Sequence, residues 1–403
     1  RKKELNMPRI LLEALGINRA GGARTATLNT IQALPCITPN VQFVVCVSQF
    51  ESVLAGIPQI KQVVIPGKNR FMLRIKLWWL LPLLARRLHI DLVHFMKNLM
   101  VGFLHCPRVV TIHDLTTLKF PQTQSCIDVT YWRWIEPVHL RQADRIIAVS
   151  QETADDLITL YHISPQRVRV VRWAPHDCFL YPMERERIKS VQIKYGLPDN
   201  YVLFVGILAK KKNLKTLLRA IYALHKTGQD IHLVIAGRPY PQSDASNELN
   251  LISALGLDHL VHYIGEVPDE DLPALYAGAR VYVMPSIHEG FGIPCWEAMA
   301  VGTPVIASNR GALSEVVGGA GILINDPLNV AEWAEAIQRC LEDEQLRTRL
   351  IESGYQRVRG RTWRTVAAET FAVYQEVCPA LKDIQVKCPP ELNMGSASSD
   401  LSE

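Results

Sequence analysis

Thirteen short apolar runs of three to seven residues, most of them rich in Val and Ile, punctuate the chain. Longer stretches with helically spaced apolar positions lie between most of them. Seven runs fall in the first half: Arg9–Leu15, Val41–Val47, Val63–Ile65, Asp91–His94, Val109–Ile112, Arg145–Val149 and Val168–Val171. Six more follow after a gap: Tyr201–Val205, His232–Ala236, Val261–Ile264, Val281–Met284, Pro304–Ala307 and Gly321–Ile324. Strands without polar alternation that alternate with helices predict parallel sheets covered on both faces. The gap, residues 172–200, is rich in Pro, Arg and Glu. Pro175, Pro182 and Pro198 break regular structure there, so it reads as a linker between two similar α/β halves. In the first half a loop with Gly21 and Gly22 precedes a helix over 25–34. From Pro379 the chain lacks a periodic apolar face and reads as a disordered tail, 379–403.

Composition sharpens this only a little. The 403 residues exceed what one core usually supports, and 48% hydrophobic with 21% charged residues is an ordinary globular balance. The net charge of +5 hides an asymmetry. Residues 1–190 carry 25 Lys and Arg against 14 Asp and Glu, and the remainder carries 19 against 25. A basic half points to anionic lipid, a phosphate-bearing acceptor or nucleic acid. No nucleic-acid module appears, so nucleic acid is not expected as a partner. Nine cysteines without a C-x-x-C pair read as reduced thiols of a cytoplasmic protein. The basic N-terminus has no apolar core with a cleavage site, so no signal peptide is expected, and the apolar run Leu77–Ala85 is too short to span a bilayer.

The chemistry concentrates in PSIHEGFGIPCWEAMAVGTPVIAS, residues 285–308. A strand ends at Pro285, a loop with Gly290 and Gly292 follows, and a helix begins near Pro294 and ends at Gly302. Glycines let the backbone approach a ligand, and the amides opening a helix favour an anion. Glu289 and Glu297 flank this cradle, and carboxylates accept hydrogen bonds from the vicinal hydroxyls of a sugar or a ribose. Taken alone, Glu297 reads as a helix-dipole residue. A second loop follows the strand that ends at Gly206 and carries Lys210, Lys211 and Lys212, with Asn213 expected to cap the next helix. Ammonium groups at a strand end suit a diphosphate leaving group, although a lysine run is often only a solvated face.

These residues resemble the retaining glycosyltransferases of family 4, whose GT-B fold sets two Rossmann-like domains with parallel sheets across a cleft. The family's Glu-x7-Glu motif stands here as Glu289-GFGIPCW-Glu297. The likeness runs through GILAKKKN, YIGEVPDEDLPALYAGARVYVMPSIHEGFGIPCWEAMAVGTPVIAS, SEVVGGAGILI and RTWRTVAAETFAVYQEV, and more loosely through AGG at 20–22, VTIHD at 109–113 with Asp114, and VSQETADDL at 149–157. It implies an acceptor-binding domain over 9–178, a donor-binding domain over 179–362, and a helix over 363–378 that crosses back. By the same resemblance Glu289 would contact the donor sugar, Glu297 the ribose, and Lys211 and Lys212 the diphosphate, where the family usually has Arg-Lys. Gly206 and the backbone of Gly290, Phe291, Gly292 and Ile293 would hold phosphate and sugar, and Val267 would lie beside the base. Glu315 stands in a Ser-Glu-Val segment where the family has Pro-Glu-Val. In the first half, His113 would line the sugar site and Gly22 would close the phosphate side, so His113, Lys212 and Glu289 form the expected catalytic set. The resemblance implies front-face attack with the departing phosphate taking the acceptor's proton. No Asp-x-Asp appears where a GT-A enzyme would need one, so no metal or other cofactor is expected.

The expected activity is therefore transfer of a hexose, with mannose favoured, from a GDP- or UDP-sugar to a saccharide or lipid-linked acceptor. A nucleotide-sugar epimerase and a non-catalytic sugar-nucleotide-binding subunit are the alternatives. A dehydrogenase is disfavoured, because no G-x-G-x-x-G follows the first strand. Residues 69–90 mix Arg and Lys with Phe71, Trp78 and Trp79. They read either as a basic amphipathic helix on anionic membrane or as an ordinary packing helix kinked at Pro82.

Overall fold

The structure is a computed structural model that describes residues 7–15, 21–67, 70–98, 103–121, 129–239 and 245–387. The chain divides into two compact units. The first comprises 1–173 and 363–389, and the second 174–362 and 390–403.

The first unit holds a seven-stranded parallel sheet of β1 (Arg9–Glu13), β2 (Gln42–Val47), β3 (Ile60–Val64), β4 (Leu92–Phe95), β5 (Arg108–Ile112), β6 (Arg145–Ala148) and β7 (Val168–Val170). Its strand order is β3-β2-β1-β4-β5-β6-β7. The second unit repeats the plan with β8 (Val202–Val205), β9 (Leu233–Ala236), β10 (Val261–Gly265), β11 (Val281–Met284), β12 (Val305–Ser308) and β13 (Ile322–Ile324), in the order β10-β9-β8-β11-β12-β13. Each sheet reverses direction between its first and fourth strands, the doubly wound order in which ligands bind beyond the carboxyl ends of the strands at the reversal. Every residue of β4, β9 and β11 is buried, as a sheet covered on both faces requires.

The β-branched runs form the strands because both faces of the central strands are covered by helices. Helix Leu214–Lys226 buries Leu214, Leu217, Leu218, Ile221 and Leu224 at helical spacing, and they join Trp333 and Ile337 of helix Val330–Glu342 in one core. Helix Trp363–Val377 packs against helix Gly22–Ile37 in the first unit. There the Tyr374 hydroxyl meets His94 Nδ1 at 2.5 Å, and Glu376 pairs with Arg145 and Arg169.

Three expectations need correction. β3 runs over 60–64 rather than 63–65. It is the edge strand, so it tolerates the polar Lys61 and Gln62 that hide it from an apolar scan. The expected linker contains helix Arg185–Tyr195, pinned by Asp271, which accepts from Arg187 (2.6 Å), Lys194 (2.6 Å) and the Tyr195 hydroxyl (2.8 Å). The tail from Pro379 is described through Lys387. Leu381 is buried, and the Lys387 amide donates to the Ile37 carbonyl. The rest of that tail lies outside the described residues. Among the described residues no helix is long and apolar enough to cross a membrane.

Candidate active site

Two loops of the second unit leave the carboxyl ends of β8 and β11, neighbouring strands at the reversal of the sheet. The β8 loop turns through a short helical turn at Lys210–Lys212, and the β11 loop runs from Pro285 to Gly292. Three links fasten one to the other. The Ile287 amide donates to the Lys211 carbonyl (2.8 Å), the Asn213 side chain donates to the Pro285 carbonyl (3.1 Å), and Lys212 Nζ lies 2.8 Å from Glu289 Oε1. Asn213 is therefore not the expected side-chain cap. Its left-handed backbone (φ 54°) turns the amide toward the carbonyls of Pro285 and Pro327, and no side-chain cap bond forms.

The electrostatics of the two glutamates diverge. Burial disfavours the Glu289 carboxylate, but the ammonium groups of Lys212 and Lys211 outweigh it and hold the carboxyl below its ordinary range. Glu297, one turn into helix Ile293–Ala300, is also buried and has no such cation. Burial pushes it up to about 7, opposed by a hydrogen bond from the Tyr276 hydroxyl at 3.3 Å. One carboxylate is thus fixed as an anion beside two ammonium groups, and the other is poised near neutrality at the helix start. Such a pair can accept from hydroxyls while the lysines and the helix amides take up an anion.

Glycine is required here by proximity. Gly292 caps the helix in a left-handed conformation (φ 96°), and a Cβ on it would stand 2.5 Å from Leu313. Gly311 (φ 63°), in the loop after β12, lies so close under the cradle that a Cβ would meet the Glu289 carbonyl at 2.7 Å. The Ala312 amide donates to that same carbonyl at 3.0 Å. Gly237, at the end of β9, could not carry a Cβ at all, because Gly206 O would be 1.9 Å away.

The second unit therefore brings together Gly206, Lys211, Lys212, Glu289, Gly290, Phe291, Gly292 and Ile293, with Glu297 one turn behind. The Phe291 ring is buried edge-on against Trp296 (5.1 Å), so only its backbone is available to a ligand. Val267 follows β10, two strands from β8, and is buried. Glu315 lies in helix Leu313–Val317, which follows β12 on the same edge. The chain does contain one Asp-x-Asp triplet, Asp269 to Asp271, but Asp271 is committed to its two cations and Tyr195.

His113 and Gly22 belong to the first unit. Gly22 opens helix Gly22–Ile37, with Gly21 before it at φ 139°. His113 follows β5, is buried, and its Nε2 donates to the Met96 carbonyl at 2.8 Å. Its ring lies 5.3 Å from Trp173 and lines a cavity of about 20 Å³ with His94, Thr27, Thr30 and Thr111. Burial holds His113 down at about 4, so the imidazole is neutral at physiological pH, with Nδ1 as its free acceptor. Sequence reasoning missed Tyr276, Gly237 and Gly311. Their roles come from strand neighbours remote in the chain, and no local spacing marks them.

Comparison with known proteins follows the same division. Residues 186–357 match the family described as Glycosyl transferases group 1, and residues 20–172 match Glycosyltransferase Family 4. The chain is 31% identical to O-antigen chain mannosyltransferase B of Escherichia coli, over 66% of this chain and 70% of that protein. It is also 31% identical to the MMP alpha-(1->4)-mannosyltransferase of Mycolicibacterium hassiacum, over 73% and 72%. Among solved structures, a sucrose-phosphate synthase from Thermosynechococcus elongatus superposes with a TM-score of 0.76 at 21% identity, covering 92% of this chain and 98% of that one. HepE of Anabaena, in complex with UDP and glucose, superposes at 0.70 with 20% identity, covering 90% and 99%.

Proposed function

Because the chain belongs to the group 1, family 4 glycosyltransferases, with their GT-B fold, we propose that it moves a hexose, with mannose favoured, from a nucleoside-diphosphate sugar to a saccharide or lipid-linked acceptor at the cytoplasmic side of a membrane. The Lys212–Glu289 pair carries this reading. It fastens the lysine loop to the glycine loop at the sheet's reversal and leaves Lys211 beside the same carboxylate. A diphosphate would displace Glu289 from Lys212, and the freed carboxylate would then accept from the donor sugar. As the glycosidic bond breaks, Lys211, Lys212 and the amides opening helix Ile293–Ala300 would stabilise the charge that collects on the leaving phosphate. Glu297 would receive the ribose hydroxyls. Transfer with retention, the leaving phosphate taking the acceptor proton, asks neither glutamate to act as a nucleophile. Lysines and helix amides supply the counter-charge without calling on a metal. The mannosyltransferase relatives support mannose, and the UDP of HepE supports a nucleoside diphosphate.

A thermal-shift panel of GDP, UDP, ADP and their sugar conjugates tests this, since a ligand bound only by the folded state raises its stability. One base should stabilise the protein, and Lys212→Ala should abolish the shift. Failure of every nucleotide to stabilise the wild type would overturn the reading. Release of an epimerised sugar nucleotide in the absence of acceptor would instead identify an isomerase.

A further inference from the structure

The first unit carries a concentration of exposed apolar side chains that its own packing does not use. Eight of the large apolar residues that stand exposed fall in only three segments, 78–83, 103 and 134–138. Helix Arg70–Arg87 presents Trp79 (77% exposed) and Leu83 (65%), four residues apart and so on one face. Trp134 (70%) and Val138 (50%) repeat that spacing on a later helical segment, which includes a wide turn at Tyr131–Ile135. Trp78 joins the pieces, its ring 6.1 Å from Phe103 (78% exposed) and 5.8 Å from His139. The ring contacts of Trp78 thus link helix Arg70–Arg87 to Phe103 and to His139 of the second segment.

The segments that carry these side chains are basic. Residues 52–90 hold seven Lys and Arg and no Asp or Glu. Arg86 and Arg87 close the first helix exposed, and Arg133 is exposed beside Trp134. The only carboxylate in 129–141, Glu136, is buried. A protein partner would be expected to answer such arginines with scattered acids at fixed points. A laterally mobile anionic surface answers them wherever they lie, and takes up protruding indoles at its headgroup boundary.

We propose that this face, centred on Trp78, docks the first unit on an anionic lipid bilayer. The inference rests on the proposed function insofar as it supplies a reason for the docking, a lipid-linked acceptor. It extends that reading to a two-helix face that includes Phe103, Trp134 and Val138.

Sedimentation of the full chain with vesicles tests it, using phosphatidylcholine alone and phosphatidylcholine doped with phosphatidylglycerol. Binding is expected only to the anionic vesicles and should fall with salt. Arg86→Glu with Arg87→Glu, Trp79→Ser with Leu83→Ser, and Trp134→Ser with Val138→Ser should each lower the partition coefficient roughly ten-fold or more. Ile193→Ser, an exposed residue of the second unit, should leave it unchanged. Nucleotide-induced stabilisation should persist in every variant, so loss of lipid binding and failure of the donor site remain distinguishable. Equal binding to neutral vesicles, or indifference to the three double variants, would overturn the proposal. So would a dimer, seen by light scattering without vesicles, that the Trp79 or Trp134 variants dissolve.

Discussion

Replacing Lys212 by Ala removes the cation that sits 2.8 Å from Glu289 and leaves a carboxylate in a buried loop. At that separation and an effective dielectric near 20, the attraction is about 6 kcal/mol before desolvation of either group is counted. Removing one partner of a buried pair costs about 3–5 kcal/mol. The side chains are 13% and 10% exposed, and Lys211 still faces the carboxylate, so the low end, about 3 kcal/mol, applies. The pH dependence has a definite sign. The Glu289 carboxyl is held below its ordinary value of 4.5. Its contribution to stability is therefore complete above that value and disappears as pH falls through the lower, folded-state one. Urea denaturation at neutral pH should show the deficit, and it should shrink as the medium is acidified below 4.5. Glu289→Gln placed on Lys212→Ala should recover most of the loss, because the stranded charge is gone, whereas the nucleotide-induced shift should stay absent in the double variant. A Lys212→Ala cost under about 1 kcal/mol, the range of an exposed pair, would refute the reasoning. So would a Glu289→Gln change that adds to the deficit instead of offsetting it.

Three further outcomes follow from the same geometry. Glu297 is raised from 4.5 to about 7, so the folded protein loses stability as pH rises between those values. Glu297→Gln should therefore exceed the wild type by roughly 3 kcal/mol at pH above about 8 and match it in acid below 4.5, read as urea midpoints; the opposite trend would refute the assignment. Gly237→Ala should cost at least about 2 kcal/mol, since its Cβ would overlap Gly206 O, whereas Gly228→Ala, at φ 85° with open space around it, should cost about 1 kcal/mol. Tyr374→Phe leaves His94 Nδ1 without its 2.5 Å partner and should lower stability by about 1–3 kcal/mol in calorimetry, with no effect on nucleotide binding.

Most strands were legible because they are largely apolar runs, as a sheet packed on both faces favours, although β4, β7 and β10 carry His94, Arg169 and His262. β3 slipped because an edge position relaxes that demand for Lys61 and Gln62. Helix Arg185–Tyr195 was hidden for the opposite reason. Only Val191 and Gln192 are buried along it, so no apolar periodicity announces it, and its bonds to Asp271 and packing against helix Leu272–Ala277 leave no local pattern. In the candidate site, the lysine loop and the glycine loop were each readable as short segments. Their shared place at one sheet edge was expected as well, and β8 and β11 are neighbours although 79 positions separate their first residues, Val202 and Val281; the direct Lys212–Glu289 pair was not readable from either segment. The same holds for Tyr276 on Glu297 and for Gly237 against Gly206. Asn213 was misjudged because, from its left-handed backbone, its amide donates to Pro285 and Pro327 and its side-chain oxygen accepts from the Thr216 hydroxyl, so no cap bond to a helix N–H forms.

The first unit is not contiguous. Its last helix, Trp363–Val377, is translated only after the whole of 174–362. At about 5–20 residues per second a ribosome needs roughly 10–40 s to pass through that insertion. For that interval the face of Gly22–Ile37 that receives the final helix stands uncovered and His94 lacks Tyr374, while the second unit already has every strand it needs. The order of completion is therefore the reverse of the order of synthesis. A chain truncated near residue 362 would carry a complete set of second-unit strands joined to an unfinished first unit, a species for chaperones to hold and proteases to find.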